Sequence, residues 1–326
     1  MRDDGLHSIV VPMYNEEPVA EEFLKRAGEA LAALPAYELI IVDDGSSDST
    51  FQILRRHAAA DPRVKLIRFA RNFGHQTAIT AGIDIAAGET VTVIDADLQD
   101  PPELIPRMVE EWRGGADIVF AVRRSREGET LFKRSTASAF YRLLNKIGDI
   151  DAPLDAGDFR LMSRRAVEAL AAMRETSRYV RGMVGWVGMR RACIEYARDA
   201  RFAGVTKYPL RKMIRLAANG LVSFSKRPLQ MAIWLGVATS GLGFAIAVYA
   251  VVKTLTGGEV VQGWPSTMTA ILLVGGVQLI MLGVVGEYVG RIYDEVRRRP
   301  LYLVSEAIGF PADVEEHFAG SPLPRR

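Results

Sequence analysis

The sequence predicts an α/β domain built on a mostly parallel sheet, followed by an amphipathic segment and two membrane-spanning helices. In the first 125 residues, short apolar runs typical of buried strands alternate with helical patterns, which favours a parallel sheet covered by helices on both faces. Residues 208–226 carry apolar side chains on one helical face, with basic side chains elsewhere. Residues 229–252 and 265–286 contain no charged side chain.

The strands of the first domain are predicted from short β-rich runs. They cover residues 8–11, 39–42, 64–69, 90–94 and 118–122. The first run ends at Pro12, the second at Asp43 and the fourth at Asp95. Ligands of parallel α/β sheets bind beyond the carboxyl ends of the strands. The polar residues that follow these runs are therefore the candidates for a functional site.

Helical patterns fill the gaps between these strands. They cover residues 17–34, 49–59, 76–87 and 102–113. A Ser/Asp-type cap opens the second helix, and Pro102 lies in the first turn of the fourth, where proline is tolerated. Beyond the fifth strand the pattern is mixed, and we expect helices at residues 132–147 and 166–173.

Each uncharged stretch is long enough to cross about 30 Å of hydrocarbon as a helix. The alternative is that both stretches are buried core helices. Two such uncharged stretches at the end of an otherwise charged chain are unusual in a soluble domain, which disfavours this alternative. The flanks are basic: Lys226 and Arg227 precede the first stretch, and Arg291 and residues 297–299 follow the second. The positive-inside rule then places the N-terminal domain and both termini in the cytoplasm. We expect a multi-pass protein of the inner membrane, with residues 208–226 at the interface rather than as an ordinary surface helix.

Charge and cysteine content narrow the function classes. The formal net charge is +2, which does not select nucleic acid as a partner. The single cysteine, Cys193, excludes an internal disulfide and favours a reducing compartment. The apolar run after residues 1–4 is too short for a signal peptide. The first domain is therefore expected to stay on the side of the membrane where it is made.

The strongest chemical signal is the acidic run of residues 95–100, DADLQD, directly after the fourth strand. The carboxylates of Asp95 and Asp97 and the amide oxygen of Gln99 are hard ligands that suit Mg²⁺ or Mn²⁺. Such an ion would neutralise a leaving diphosphate. Taken alone, an acidic loop after a strand is more often a solvated turn or a helix cap, so the metal interpretation depends on the neighbouring motifs.

Two further motifs follow the first two strands: VPMYNEE at residues 11–17 and VDDGSSDST at residues 42–50. A carboxylate at a strand end can accept hydrogen bonds from a ribose or a base, and Gly45 permits a tight turn that lets backbone approach a ligand. A simple turn followed by a helix cap is the alternative for the second motif. His75 lies in the loop after the third strand, where a place near a nucleotide and a purely structural role are both open.

These three motifs, in this order and spacing, resemble the family-2 glycosyltransferases with a GT-A fold. The run AGDFRL at residues 156–161 and the two C-terminal stretches narrow the resemblance to polyprenyl-phosphate glycosyltransferases of the GtrB-type bactoprenol glucosyltransferase and dolichyl-phosphate mannose synthase branch. The implied organisation is a GT-A domain at residues 1–205, a juxtamembrane region at 206–228, a transmembrane hairpin at 229–290 and a cytoplasmic tail at 291–326.

The resemblance also implies roles for individual residues. The nucleotide would contact Pro12, Tyr14, Glu16, Asp44 and Asp95, and the metal would be held by Asp95, Asp97 and Gln99. The catalytic residues would be Asp97 and Asp158, with Asp158 near the transferred sugar or the acceptor phosphate. Candidates to bind the phosphate of the lipid acceptor are Arg123, Arg134, Arg201 and Lys207.

The implied reaction is inverting transfer of a hexose, with UDP-glucose as the first choice of donor, to polyprenyl (undecaprenyl) phosphate at the cytoplasmic face. GDP-mannose, UDP-N-acetylglucosamine, UDP-galacturonate and an aminoarabinose donor remain open as donors. Another lipid or glycan acceptor and a non-catalytic membrane scaffold also remain as alternatives. A phosphate monoester is already largely dianionic at neutral pH, so we expect Asp158 to orient groups rather than to abstract a proton. The branch also makes a homo-oligomer the expected state.

Overall fold

The structure is a computed structural model that describes residues 5–123, 156–176, 178–197, 227–256 and 263–310. Two compact units divide the chain. One consists of Met1–Arg215 together with Arg299–Arg326, and the other of Leu216–Arg298. The first unit therefore consists of the part of the sequence before the second unit and the part after it.

The described part of the first unit contains an eight-stranded sheet. Its strands are β1 (His7–Met13), β2 (Tyr37–Asp43), β3 (Val64–Phe69), β4 (Thr90–Val93), β5 (Ile118–Arg123), β6 (Ala156–Ser163), β7 (Arg191–Tyr196) and β8 (Val304–Ile308). Their order is β7-β5-β6-β4-β1-β2-β3-β8. β1 pairs in parallel with β2 and β4, β2 with β3, and β5 with β7, while β6 and β8 are antiparallel to their neighbours. The predicted α/β class with a mostly parallel sheet is confirmed.

Helices cover the sheet and bury their apolar faces against it. They are α1 (Glu17–Leu31), α2 (Thr50–Ala60), α3 (His75–Ile85), a 3₁₀ turn (Pro102–Leu104), α4 (Ile105–Arg113), α5 (Arg164–Ala172) and α6 (Val180–Trp186). α1 buries Phe23 and Leu31 completely, as its amphipathic pattern predicts. α3 lies very close to β1, because a Cβ added at Gly82 would come 2.2 Å from Val10 Cγ1.

The strand register brings the three sequence motifs to one edge of the sheet. β1 and β2 pair so that Met13 lies opposite Asp43, and the two loops that follow start at the same level. β1 and β4 pair through Val10 and Val93, which sets Asp95 just beyond the sheet. The carboxyl edge of the central strands is therefore the place where the predicted site residues meet.

Three strands and one helix have no counterpart in the sequence prediction. β6 inserts antiparallel between β4 and β5, although Asp158 and Arg160 interrupt its apolar pattern. β8 lies inside the predicted cytoplasmic tail, residues 291–326, and pairs with the edge of β3. That tail is thus divided, because residues 304–308 belong to the sheet of the first unit. β7 and α6 are short, and their sequences show no clear alternation or helical repeat of apolar residues.

The second unit contains two long helices, α7 (Arg227–Leu255) and α8 (Trp264–Arg297). Among the described residues, one helical stretch is long and apolar enough to cross a membrane, Leu273–Arg297, with a mean hydropathy of 1.6. The apolar stretch of α7, Ala232–Ile246, is shorter. Both predicted spans are helical, but two membrane-spanning helices are not confirmed. The predicted helices at residues 132–147 and 208–226 lie outside the described residues.

Candidate active site

The loops after β1 and β2 are joined by hydrogen bonds at the carboxyl edge of the sheet. The backbone N–H of Asn15 donates to Ser46 Oγ at 3.0 Å, and Asn15 Oδ1 accepts from the N–H of Ser47 at 2.8 Å. The N–H of Glu16 donates to Thr50 Oγ1 at 2.9 Å. Asn15 has a positive φ of 52°, a conformation that asparagine tolerates well. The first two motifs thus form one wall of the site.

Asp44 fastens the loop that precedes α3. Its buried carboxylate accepts hydrogen bonds from the N–H groups of Phe73 at 2.6 Å and Gly74 at 2.9 Å. Burial raises the pKa of Asp44, while these two N–H groups oppose the rise. Gly45 has a φ of +71°, and a Cβ there would lie 2.6 Å from the carbonyl carbon of Arg71. Glycine is therefore required where the two loops touch.

The other residues expected to bind the nucleotide lie along the same wall. Pro12 is buried in β1, Tyr14 is 40% exposed just beyond it, and Glu16 is partly exposed before α1. The predicted contacts of these three residues and of Asp44 with a nucleotide stay predictions.

The acidic loop follows β4 and turns at Leu98, whose φ is 57°. Asp97 and Gln99 are partly exposed, and Asp97 Oδ1 accepts from the N–H of Gln99 at 3.2 Å. Asp95 Oδ1 is buried and has no hydrogen-bond partner among the described residues. Burial raises the pKa of Asp95 to about 6, with His75 opposing the rise and nearby carboxylates adding to it. A cation at this oxygen would satisfy it, so Asp95 fits a metal ligand.

Asp158 is the most heavily paired carboxylate of the site. Arg160 Nη2 donates to its Oδ1 at 2.6 Å, and Arg181 donates through Nε to Oδ1 at 3.0 Å and through Nη2 to Oδ2 at 2.8 Å. Burial alone would raise the pKa of Asp158, but Arg181, His75 and Arg160 outweigh it and hold the pKa well below its usual range. Asp158 is therefore ionised and already neutralised by guanidinium groups.

His75, the first residue of α3, connects Asp158 with the acidic loop. Its Nε2 lies 3.3 Å from Asp158 Oδ2 and 3.5 Å from Asp95 Oδ1. Partial burial disfavours its charged form, but the two carboxylates raise its pKa to about 9. These three side chains each offer a possible ligand atom, and the atoms lie within 4.8 Å of one another.

A second cluster holds the far end of the acidic loop. The hydroxyl of Tyr196 donates to Asp100 Oδ1, and Arg123 Nε donates to that hydroxyl at 3.5 Å. Arg123 Nη2 lies 3.8 Å from Asp100 Oδ1. The loop is thereby tied to β5 and β7. The phosphate-binding role expected of Arg123 stays a prediction, and Arg134, Arg201 and Lys207 lie outside the described residues.

Two arginines of the site were missed from sequence. Arg160 lies two residues after Asp158, and residues i and i+2 of a strand face the same side. Its place in the site could have been inferred had β6 been recognised. Arg181 lies in a short helix that contains none of the sequence motifs, so the sequence does not indicate that it belongs to the site.

Comparison with known proteins identifies the family to which the chain belongs. The profile of glycosyl transferase family 2 matches residues 8–171, and the profile of the GtrB C-terminal hairpin matches residues 227–292. An uncharacterized glycosyltransferase of Bacillus subtilis (strain 168), YkcC, is 50% identical over 304 residues, which cover 93% of this chain and 94% of the relative. The SfII prophage-derived bactoprenol glucosyl transferase of Shigella flexneri is 42% identical over 301 residues, 92% of this chain and 97% of the relative.

Among solved structures, this chain is similar to glucosyl-3-phosphoglycerate synthase from Mycobacterium tuberculosis in complex with Mn²⁺, UDP-glucose and phosphoglyceric acid. The two chains are 20% identical, with a TM-score of 0.49, and the alignment covers 67% of this chain and 79% of the synthase. The family assignment itself comes from the sequence matches, which extend over half of the chain for the family profile and over nine-tenths for the relatives. On these grounds the protein belongs to glycosyl transferase family 2, carries the GtrB C-terminal hairpin, and is a glycosyltransferase.

Proposed function

We propose that the protein transfers a hexose, with UDP-glucose as the first candidate donor, to polyprenyl phosphate with inversion at the anomeric carbon. The observation that carries the proposal is the contact between an acidic loop and a cation-rich cluster, made where His75 lies between Asp95 and Asp158. Such a site can hold a diphosphate through a metal ion and a second anionic group through cations. Joining two anionic substrates requires this kind of compensation.

We also propose that Asp95, Asp97 and Gln99 hold Mg²⁺ or Mn²⁺. The buried Oδ1 of Asp95, which accepts no hydrogen bond among the described residues, supports this ligand set. His75, Asp95 and Asp158 form a second possible set, but both oxygens of Asp158 already accept hydrogen bonds from guanidinium groups. When bound, the ion would act as a Lewis acid that stabilises the leaving diphosphate.

Asp158 orients the site in this proposal and does not act as the base. The guanidinium groups of Arg160 and Arg181 make its carboxylate a weak proton acceptor. The acceptor phosphate is largely dianionic at neutral pH and needs no deprotonation. A phosphate oxygen attacks the anomeric carbon, and the bond from that carbon to the nucleotide diphosphate breaks, so the electron pair leaves with the diphosphate.

The lipid acceptor is proposed from the relatives and from the hairpin. The bactoprenol glucosyl transferase of Shigella flexneri aligns over nearly its whole length. Large apolar side chains of α7 and α8 are exposed, among them Trp234, Phe244 and Leu279, as lipid-facing residues would be. We propose that both helices cross the inner membrane, that both termini are cytoplasmic because their flanks are basic, and that the exposed faces also pack between copies of a homo-oligomer.

The test is an assay with membranes that contain the protein. They are incubated with labelled UDP-glucose and undecaprenyl phosphate, with Mn²⁺ or with EDTA, and GDP-mannose is run in parallel. A metal-dependent lipid product that mild acid cleaves supports the proposal. A product stable to mild acid indicates a different acceptor, and a product with GDP-mannose alone indicates a mannose synthase. If no donor gives a product, the scaffold alternative stands.

A further inference from the structure

The chain that follows the hairpin lies beside the strand that leads into the site. Residues 299–308, the post-hairpin segment, belong to the first unit, and β8 within this segment pairs antiparallel with β3. The carbonyl of Leu303 accepts a hydrogen bond from the N–H of Ala70 at 2.9 Å, and Ser305 Oγ donates to the carbonyl of Arg68 at 3.1 Å. The post-hairpin segment therefore contacts the end of β3 and the first residue after it.

Three aromatic rings connect this segment with the loop before α3. Tyr302 is 5% exposed and stacks on Phe69, the last residue of β3, with ring centroids 5.1 Å apart and 18° between the planes. Phe69 is 1% exposed and contacts Phe73 edge-on, with centroids 5.6 Å apart. Both arrangements are favoured geometries of aromatic pairs. The three rings therefore form one packed row from the post-hairpin segment to residue 73.

The last ring of the row belongs to a residue whose backbone holds the site together. The N–H groups of Phe73 and Gly74 donate to the carboxylate of Asp44 at 2.6 Å and 2.9 Å. The carbonyl of Phe73 accepts from Thr77 Oγ1 at 3.2 Å, in the first turn of α3. His75 follows two residues after Phe73. A shift of the Phe73 ring would therefore move the donors that hold Asp44 and the start of α3.

We propose that Tyr302 is a positioning residue of the donor site, which acts by holding the rings of Phe69 and Phe73. Through them it keeps the loop at Asp44 in the conformation that binds the nucleotide. The inference rests on the proposed function, which makes Asp44 part of the nucleotide wall. A loop that is ordered before the ligand arrives loses less conformational entropy on binding, so a loop held less firmly binds more weakly. The hydroxyl of Tyr302 contacts Asp84 and not Phe69, so the ring alone carries this role.

A purely structural role for Tyr302 makes a different prediction. If Tyr302 only stabilised the first unit, its truncation would lower the melting temperature, but the folded protein would bind nucleotide like the wild type. Leu31 offers a matched control, because it is 0% exposed and its truncation also removes a large buried side chain from the first unit. Leu31 is the last residue of the 15-residue α1, roughly 20 Å along the helix from the first motif.

The experiment compares Tyr302→Ala, Tyr302→Phe and Leu31→Ala in the full chain, at a temperature where all three are folded. Amide hydrogen exchange of the peptide that contains Phe73 and Gly74 is followed by mass spectrometry, and the dissociation constant for UDP with Mn²⁺ by calorimetry. We expect Tyr302→Ala to exchange about tenfold faster in this peptide and to bind UDP about tenfold more weakly. Tyr302→Phe, which keeps the ring, and Leu31→Ala should both stay within about twofold of the wild type.

Three results would overturn the proposal: unchanged exchange in Tyr302→Ala, faster exchange with unchanged UDP affinity, or equal effects in Tyr302→Ala and Leu31→Ala. If Tyr302→Ala does not fold, Tyr302→Leu, which keeps an apolar side chain without a ring, is judged by the same criteria. If the wild type itself does not bind UDP, the proposed donor is wrong, and the same variants are compared with GDP. Hydrogen exchange and nucleotide binding need no turnover, so a failure of the proposed acceptor reaction would be recognised separately.

Discussion

His75 Nε2 lies 3.5 Å from Asp95 Oδ1, the buried carboxylate oxygen that lacks a hydrogen-bond partner among the described residues. Because the carboxylates of Asp95 and Asp158 outweigh the effect of partial burial and raise the pKa of His75 to about 9, its imidazole is protonated at neutral pH. A cationic side chain therefore lies beside the oxygen that we assign to a divalent ion. His75 and the ion should compete electrostatically.

We therefore predict that His75→Gln binds Mn²⁺ more tightly than the wild type. Removal of one positive charge a few ångströms from the ion should improve the affinity by roughly tenfold, allowing for partial exposure of the site. Calorimetric titration of Mn²⁺ into the metal-free protein measures it. Weaker binding in His75→Gln would instead make the imidazole a ligand and move the metal to the group of His75, Asp95 and Asp158.

The acidic loop should depend on the hydroxyl of Tyr196. The ring packs edge-on against Phe159, with centroids 6.2 Å apart, and a phenylalanine would keep this contact. Tyr196→Phe removes the hydrogen bond to Asp100 and the one from Arg123. The loop that carries Asp95 should then be held less firmly, and we expect Mn²⁺ affinity to fall by about threefold to tenfold, the equivalent of one net hydrogen bond. Unchanged Mn²⁺ affinity would show that this bond has no influence on the metal ligands.

The segment after the hairpin should stabilise the first unit. Tyr302 is 5% exposed, stacks on Phe69 with ring centroids 5.1 Å apart, and its hydroxyl lies 3.2 Å from Asp84 Oδ2. We predict that Tyr302→Ala costs about 3 kcal/mol of stability, as the loss of a buried aromatic ring does. Tyr302→Phe should cost about 1 kcal/mol.

Leu303→Ala is the control, because the neighbouring Leu303 is 44% exposed and its truncation should change stability by less than about 0.5 kcal/mol. Thermal unfolding of the detergent-solubilised protein compares the variants. Equal melting temperatures for Tyr302→Ala and Leu303→Ala would mean that Tyr302 does not stabilise the first unit.

The central strands and the motifs after them could be predicted because their pattern is local. β1 and β2 are buried along their whole length, and a continuous apolar run is visible in the sequence. β6 could not be predicted in this way, because Asp158 and Arg160 interrupt its apolar pattern and its pairing partners, β4 and β5, lie far from it in sequence. β8 likewise pairs with β3, a strand that lies far earlier in the sequence. Long-range pairing, which no local pattern carries, accounts for what sequence analysis missed.

A buried carboxylate at the opposite end of the strands should make stability depend on pH. Glu38 in β2 accepts hydrogen bonds from Lys65 Nζ at 2.5 Å, Ser8 Oγ at 2.5 Å and the N–H of Ala87 at 2.8 Å. Burial by itself would raise the pKa of Glu38, but these three donors outweigh it and lower the pKa below the ordinary 4.5.

Since the folded protein holds the ionised form more tightly than the unfolded chain, Glu38 stabilises the fold at pH values above 4.5. That stability is lost as the pH falls through the lowered pKa. We predict that Glu38→Gln is less stable than the wild type by about 2 kcal/mol at pH 7, and that the difference shrinks as the pH falls below 4.5. Urea unfolding at several pH values measures it, with Glu29→Gln at an exposed position of α1 as control. A stability difference that is the same at pH 3 and pH 7 would show that the charge of Glu38 does not contribute.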